Sequence, residues 1–138
     1  MTVKAFGWAR SFPIAEGVRA ARKWTAEHLT QLPWAEESPD TVDSVLLTVS
    51  ELVTNAHLHA GGAAHLVLSW DGSCVHVSVA DTDPRLPKPR EAAAGATSGR
   101  GLGIVATLAD SWDVHASHGG KAITACFHPD GGPHPSTG

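Results

Sequence analysis

Two short stretches hold the side chains with chemistry in them. In Glu51-Leu52-Val53-Thr54-Asn55-Ala56-His57-Leu58-His59-Ala60 a carboxylate and a carboxamide stand four residues apart inside a helical pattern. Residues at i and i+4 project from one side of a helix, so Glu51 and Asn55 share a polar face while Val49, Leu52, Val53 and Ala56 point toward a core. A carboxylate can order or deprotonate an attacking hydroxyl. An amide oxygen is a neutral hard ligand of the kind Mg²⁺ takes. In Gly99-Arg100-Gly101-Leu102-Gly103-Ile104 the glycines let backbone approach phosphates closely where a helix opens. A helix start adds free N–H groups and a positive dipole end, and Arg100 is placed for a terminal phosphate. Neither stretch is specific alone, because Glu and Asn are common on solvated helix faces and a lone Gly-x-Gly proves little. Together they supply the polar parts of a Mg-nucleotide site.

Two further stretches fit that reading. Asp81 follows a valine-rich strand pattern and opens Asp81-Thr82-Asp83-Pro84-Arg85-Leu86-Pro87. Gly119-Gly120-Lys121-Ala122-Ile123-Thr124-Ala125 is a Gly-Gly turn entering a strand that carries a threonine. In isolation Asp81 reads better as a turn residue at a strand end, and the second stretch equally well as an ordinary hairpin.

The elements that must position these residues follow from periodicity and breakers. Residues 4–12 alternate loosely and predict a first strand, stopped by Pro13. Residues 15–32 predict a helix ended by Pro33. Asp40 or Thr41 can cap the next helix, whose stripe is Val42, Val45, Leu46, Val49, Leu52, Val53 and Ala56, and Gly61-Gly62 ends it. Residues 64–70 and 74–80 predict two strands joined by a hairpin at Asp71-Gly72. Residues 81–100 predict a loop of about twenty residues, a length that in a compact domain is usually functional. A helix over 101–110 and strands over 112–117 and 122–128 complete the pattern, with a turn at residues 118–120. The order predicts an α+β sandwich, a mixed sheet covered on one face by helices.

These four boxes, in this order across residues 51–125, resemble the nucleotide site of the GHKL superfamily, which includes gyrase, histidine kinases and MutL. Within it the chain is most similar to the stand-alone serine/threonine kinases that act as bacterial anti-sigma factors, and the order of elements resembles their whole length. The resemblance implies a two-layer α/β sandwich of the Bergerat type, with a mixed, mostly antiparallel sheet and helices on one face. It implies one ATP-binding domain over residues 1–128, a flexible tail over 129–138, and ATP with Mg²⁺ as cofactors. Glu51 is then the catalytic base, Asn55 the Mg²⁺ ligand and Asp81 the acceptor for the adenine amino group. Arg100 with Gly99, Gly101, Leu102 and Gly103 forms the phosphate clamp, and Thr124 assists near the adenine. Arg85 falls in the same site, although it and Asp83 stand where the superfamily's Asp-x-Gly-x-Gly box has its glycines. The implied activity is phosphoryl transfer to a serine on an anti-sigma antagonist, combined with sequestration of a sigma factor and pairing as a homodimer. The alternative is a nucleotide-gated protein-binding module of the same fold with little or no kinase activity.

Composition agrees with that class. The 138 residues suit one domain with a real core, and 42% apolar with 17% charged residues suits a soluble globular chain. A net charge of −4 without a basic cluster argues against nucleic acid as a direct partner. No apolar run reaches the ~18 residues a membrane span needs, and no secretory h-region opens the chain, so a reducing cytoplasm is the expected setting. Cys74 and Cys126 read as small strand residues rather than a disulfide framework. Nine histidines include no i, i+4 pair with a third ligand, so no zinc site is expected.

Overall fold

The computed structural model describes residues 6–82, 97–117 and 119–129. Strands β1 (Phe6–Phe12), β2 (Ala64–Trp70), β3 (Val75–Asp81), β4 (Ser111–Ser117) and β5 (Gly120–Phe127) form one sheet in the order β1-β2-β3-β5-β4. Helices α1 (Gly17–Leu29), α2 (Pro39–Asn55) and α3 (Thr97–Leu108) pack on it. This is the two-layer α+β sandwich expected from the sequence. The sheet, anticipated as mixed and mostly antiparallel, is antiparallel at every junction between described strands.

Alternation decides which face is covered. Along β3, Val75, Val77, Val79 and Asp81 are buried while His76, Ser78 and Ala80 are half-buried. The buried set, with Leu66 and Leu68 of β2 and Ala125 and Phe127 of β5, meets Val45, Val49, Leu52 and Val53 of α2 and Val105 of α3. Each fully buried aliphatic side chain contributes roughly 1.5–3 kcal/mol, so this shared core holds the helices to the sheet. Trp24 of α1 packs edge-on against Phe12 at 5.7 Å between ring centres, fastening α1 over β1.

Helix α2 starts earlier than the capping residues suggest. Ser38 is its N-cap and Pro39 its first residue, which places Asp40 inside the first turn and Thr41 beyond the cap. Proline suits that position because its missing N–H would have no helical acceptor and its φ is already helical. At the other end, Gly61 closes the helical run in the left-handed region, with φ 68°. Helix α1 is shorter than the 15–32 expected. A 3₁₀ turn, Ile14–Glu16, precedes it, and turns replace helix after Leu29.

The β2–β3 hairpin turns at Asp71 and Gly72 as expected, with Gly72 at φ 97°. The Asp71 carboxylate accepts the N–H groups of Ser73 and Cys74 at 2.8 Å each. The Cys74 N–H, the His76 ring and the Ser73 N–H hold its carboxyl down at about 2. Of the segment read as a loop, Asp81 remains in β3 and residues 97–100 belong to α3, while 83–96 lie outside the described residues. Residues 130–138 of the expected tail lie outside them too.

Candidate nucleotide site

The polar face of α2 lies where its sequence places it. Glu51 and Asn55 are half-buried, whereas Leu52 and Val53 beside them are buried. Asn55 is the last α-helical residue, and the chain continues directly into a π-helical turn, Ala56–Ala60. Such turns are rare and frequently stand at functional sites. This one aims the His57 ring back at β1, where Nε2 donates to the Phe12 carbonyl at 2.8 Å. His59, one turn beyond Asn55, is exposed.

The end of β3 comes to the same corner. The π turn packs against β3. A Cβ on Gly62 would touch the Thr82 hydroxyl at 3.7 Å, so the end of the π turn adjoins the residue after Asp81. Asp81 is on the helix-covered face of the sheet and only 8% exposed. Its two carboxylate oxygens accept from Lys121 Nζ at 3.0 and 3.2 Å, a buried ion pair across the β3–β5 register. Gly120 passes the same point: a Cβ there would lie 1.8 Å from the Asp81 carbonyl oxygen. A glycine is therefore required at 120 if β5 is to run beside Asp81. Lys121 was missed by the sequence reading. Its one signal was its place directly after the Gly-Gly turn, opposite the strand end that carries the key carboxylate.

The glycine-rich stretch lies on α3, which packs against α2. Because α3 begins at Thr97, the N–H groups without helical acceptors belong to its first residues, up to about Gly99. The amides of Gly101, Leu102 and Gly103, expected to open the helix, fall one turn inside it. Gly103 faces open space, since a Cβ there would meet nothing within 4 Å.

Thr124 is not brought to this corner. It pairs with Ser78 and Asp113 in the sheet register, on the face turned away from the helices, and its hydroxyl donates to Ser78 Oγ at 3.2 Å. Lys121 and Thr124 are three residues apart on one strand and so point to opposite faces. The β5 side chain that stands beside Asp81 is that of Lys121. Arg85 lies outside the described residues.

These elements carry hard oxygen donors on α2, a buried carboxylate with an ammonium across β3 and β5, and a glycine-bearing helix packed on α2. Those donors suit Mg²⁺ and a purine edge: a carboxylate has acceptor sites beyond the two that Lys121 uses. Comparison with known proteins points the same way. No curated protein matches the sequence. A chain in the crystal structure of the SiaB-SiaC complex from Pseudomonas aeruginosa is similar in fold, with a TM-score of 0.64 at 12% identity, covering 86% of this chain and 88% of that one. The family model of the histidine kinase-like ATPase domain matches residues 14–127. A match over most of the length, on a fold and a corner of this kind, places the chain in the histidine kinase-like ATPase domain family.

Proposed function

We propose that the protein is an ATP-dependent serine/threonine protein kinase of the anti-sigma regulatory kind. The observation that carries this reading is the packing of the π turn that follows Asn55 against β3, whose end bears the buried Asp81. Asp81 would accept the adenine amino group, and Lys121 would hold that carboxylate in one orientation. Asn55 would offer its amide oxygen to Mg²⁺. The start of α3, with Arg100, would face the phosphates. Bound Mg-ATP supplies the phosphoryl group, and its metal neutralises charge on the phosphates. Glu51 would take the proton from the hydroxyl of an incoming serine, work worth roughly 10²–10⁴ in rate. Family membership supports ATP binding, and the SiaB-SiaC complex, in which a protein of this fold is crystallised with a partner, supports a protein partner. A sigma factor, an anti-sigma antagonist and a second copy of the chain are the partners that this reading assigns.

Transfer of labelled γ-phosphate to a co-encoded antagonist tests the proposal. The wild-type chain labels a serine, and Glu51→Gln binds ATP without labelling it. A second reading, a nucleotide-gated binding module, is favoured by one observation: Asp83 and Arg85 stand where the superfamily's Asp-x-Gly-x-Gly box has its glycines. ATP binding with no transfer to any antagonist would decide for the module.

A further inference from the structure

Both cysteines and two histidines meet at the far end of the sheet from Asp81. The chain carries the pattern Cys-x-His twice, Cys74-Val75-His76 at the start of β3 and Cys126-Phe127-His128 at the end of β5. The strands are antiparallel neighbours, with His76 opposite Cys126 and Val75 opposite Phe127. Alternate residues share a face, so all four side chains lie on the side turned away from the helices. Ligating atoms of Cys74, Cys126 and His128 lie within 4.8 Å of one another, and so do those of Asp71, Cys74 and His76. The Cys74 sulfur is 3.7 Å from His128 Nε2. Bond lengths of about 2.3 Å to sulfur and about 2.0–2.1 Å to nitrogen put the S···N edge of a tetrahedral zinc site at about 3.6 Å.

We propose that this end of β3 and β5 binds a zinc-class divalent ion through Cys74, Cys126 and His128, with the fourth position supplied from the Asp71–His76 pair. Two sulfurs with imidazole select a soft or borderline metal over Mg²⁺ or Ca²⁺. The surroundings hold the ligands in place. The His128 backbone N–H donates to Asp110 Oδ2 at 2.6 Å, and the Asp110 backbone N–H donates to the Cys126 carbonyl at 2.9 Å. His76 Nε2 is bonded to Asp71 Oδ2 at 2.9 Å, the kind of carboxylate contact that orients ligating imidazoles. A disulfide is the poorer fit. The two cysteines are diagonal neighbours, and diagonal positions stand about 7–8 Å apart, beyond the usual disulfide range of about 4.4–6.8 Å between Cα atoms. Seven residues of strand, at about 3.3 Å each, separate Cys74 from Asp81 by about 23 Å, so the site is separate from the nucleotide corner.

The test uses the reduced, chelator-treated full chain, titrated with Zn²⁺ and with Co²⁺. One equivalent of each binds, and the cobalt form shows thiolate-to-metal charge-transfer absorption. Cys126→Ser and His128→Gln each weaken Zn²⁺ binding by more than about 100-fold, with the far-ultraviolet dichroism unchanged. His115→Ala, on edge strand β4, leaves it unchanged. The proposal is overturned if the reduced wild-type chain takes up no stoichiometric metal, if the cobalt form lacks the thiolate band, or if binding survives both substitutions.

Discussion

Removing one half of a buried ion pair leaves the other half desolvated, and that sets the expectation for Lys121. Its side chain is 9% exposed and that of Asp81 6%. Lys121→Met would leave the carboxylate buried without its ammonium, at a cost of about 3–5 kcal/mol. Chemical denaturation reads this directly. Asp81→Asn combined with Lys121→Met should lose less than the sum of the single changes, because each single variant already removes the shared interaction. Asp81→Asn should also weaken ATP binding and relax the preference for adenine over guanine, since an amide can present N–H where a carboxylate cannot. Competition of labelled ATP by GTP checks it; unchanged selectivity would move the base contact elsewhere. The shared helix face of Glu51 and Asn55 and the strand-end place of Asp81 were legible in the sequence, because local spacing and strand alternation mark them. Lys121 was not, because its meaning comes from a register that joins residues forty positions apart. Thr124 was assigned to the base by its place in a motif, but strand parity counted from Lys121 turns it to the other face.

The elements that carry the corner have their own requirements. Gly120→Ala would drive a Cβ into the Asp81 backbone, which cannot give way as a flexible side chain can. We expect a loss of at least about 1–3 kcal/mol in unfolding, with weakened ATP binding as β5 shifts from Asp81. Helix α2 contains the opposite case. The Thr48 hydroxyl is buried without a hydrogen-bond partner among the described residues. Thr48→Val keeps the shape and removes that hydroxyl, so the chain should gain about 1 kcal/mol, read as a raised melting temperature. Apolar periodicity gave the existence and order of the elements, down to the bounds of β2. Their ends were less legible. Ser38 rather than Asp40 caps α2 because Pro39 fits the first helical position. The π turn after Asn55 has no mark in the sequence, since its residues fit an α-helix equally well.

On the scale of the whole molecule, the helices cover one face of the sheet and place the nucleotide corner at one end of β3, with the sulfur-bearing pair of triplets at the other. None of the described helices is long and apolar enough to cross a membrane. Membership in the histidine kinase-like ATPase domain family makes nucleotide binding the claim on which the rest of the account stands. Calorimetry with ATP, with and without Mg²⁺, on the wild-type chain and on Asn55→Ala tests it most directly. The account predicts saturable one-site binding to the wild-type chain that Mg²⁺ tightens, and a folded Asn55→Ala chain in which the Mg²⁺ effect is lost. A folded wild-type chain that binds no ATP under either condition would contradict it.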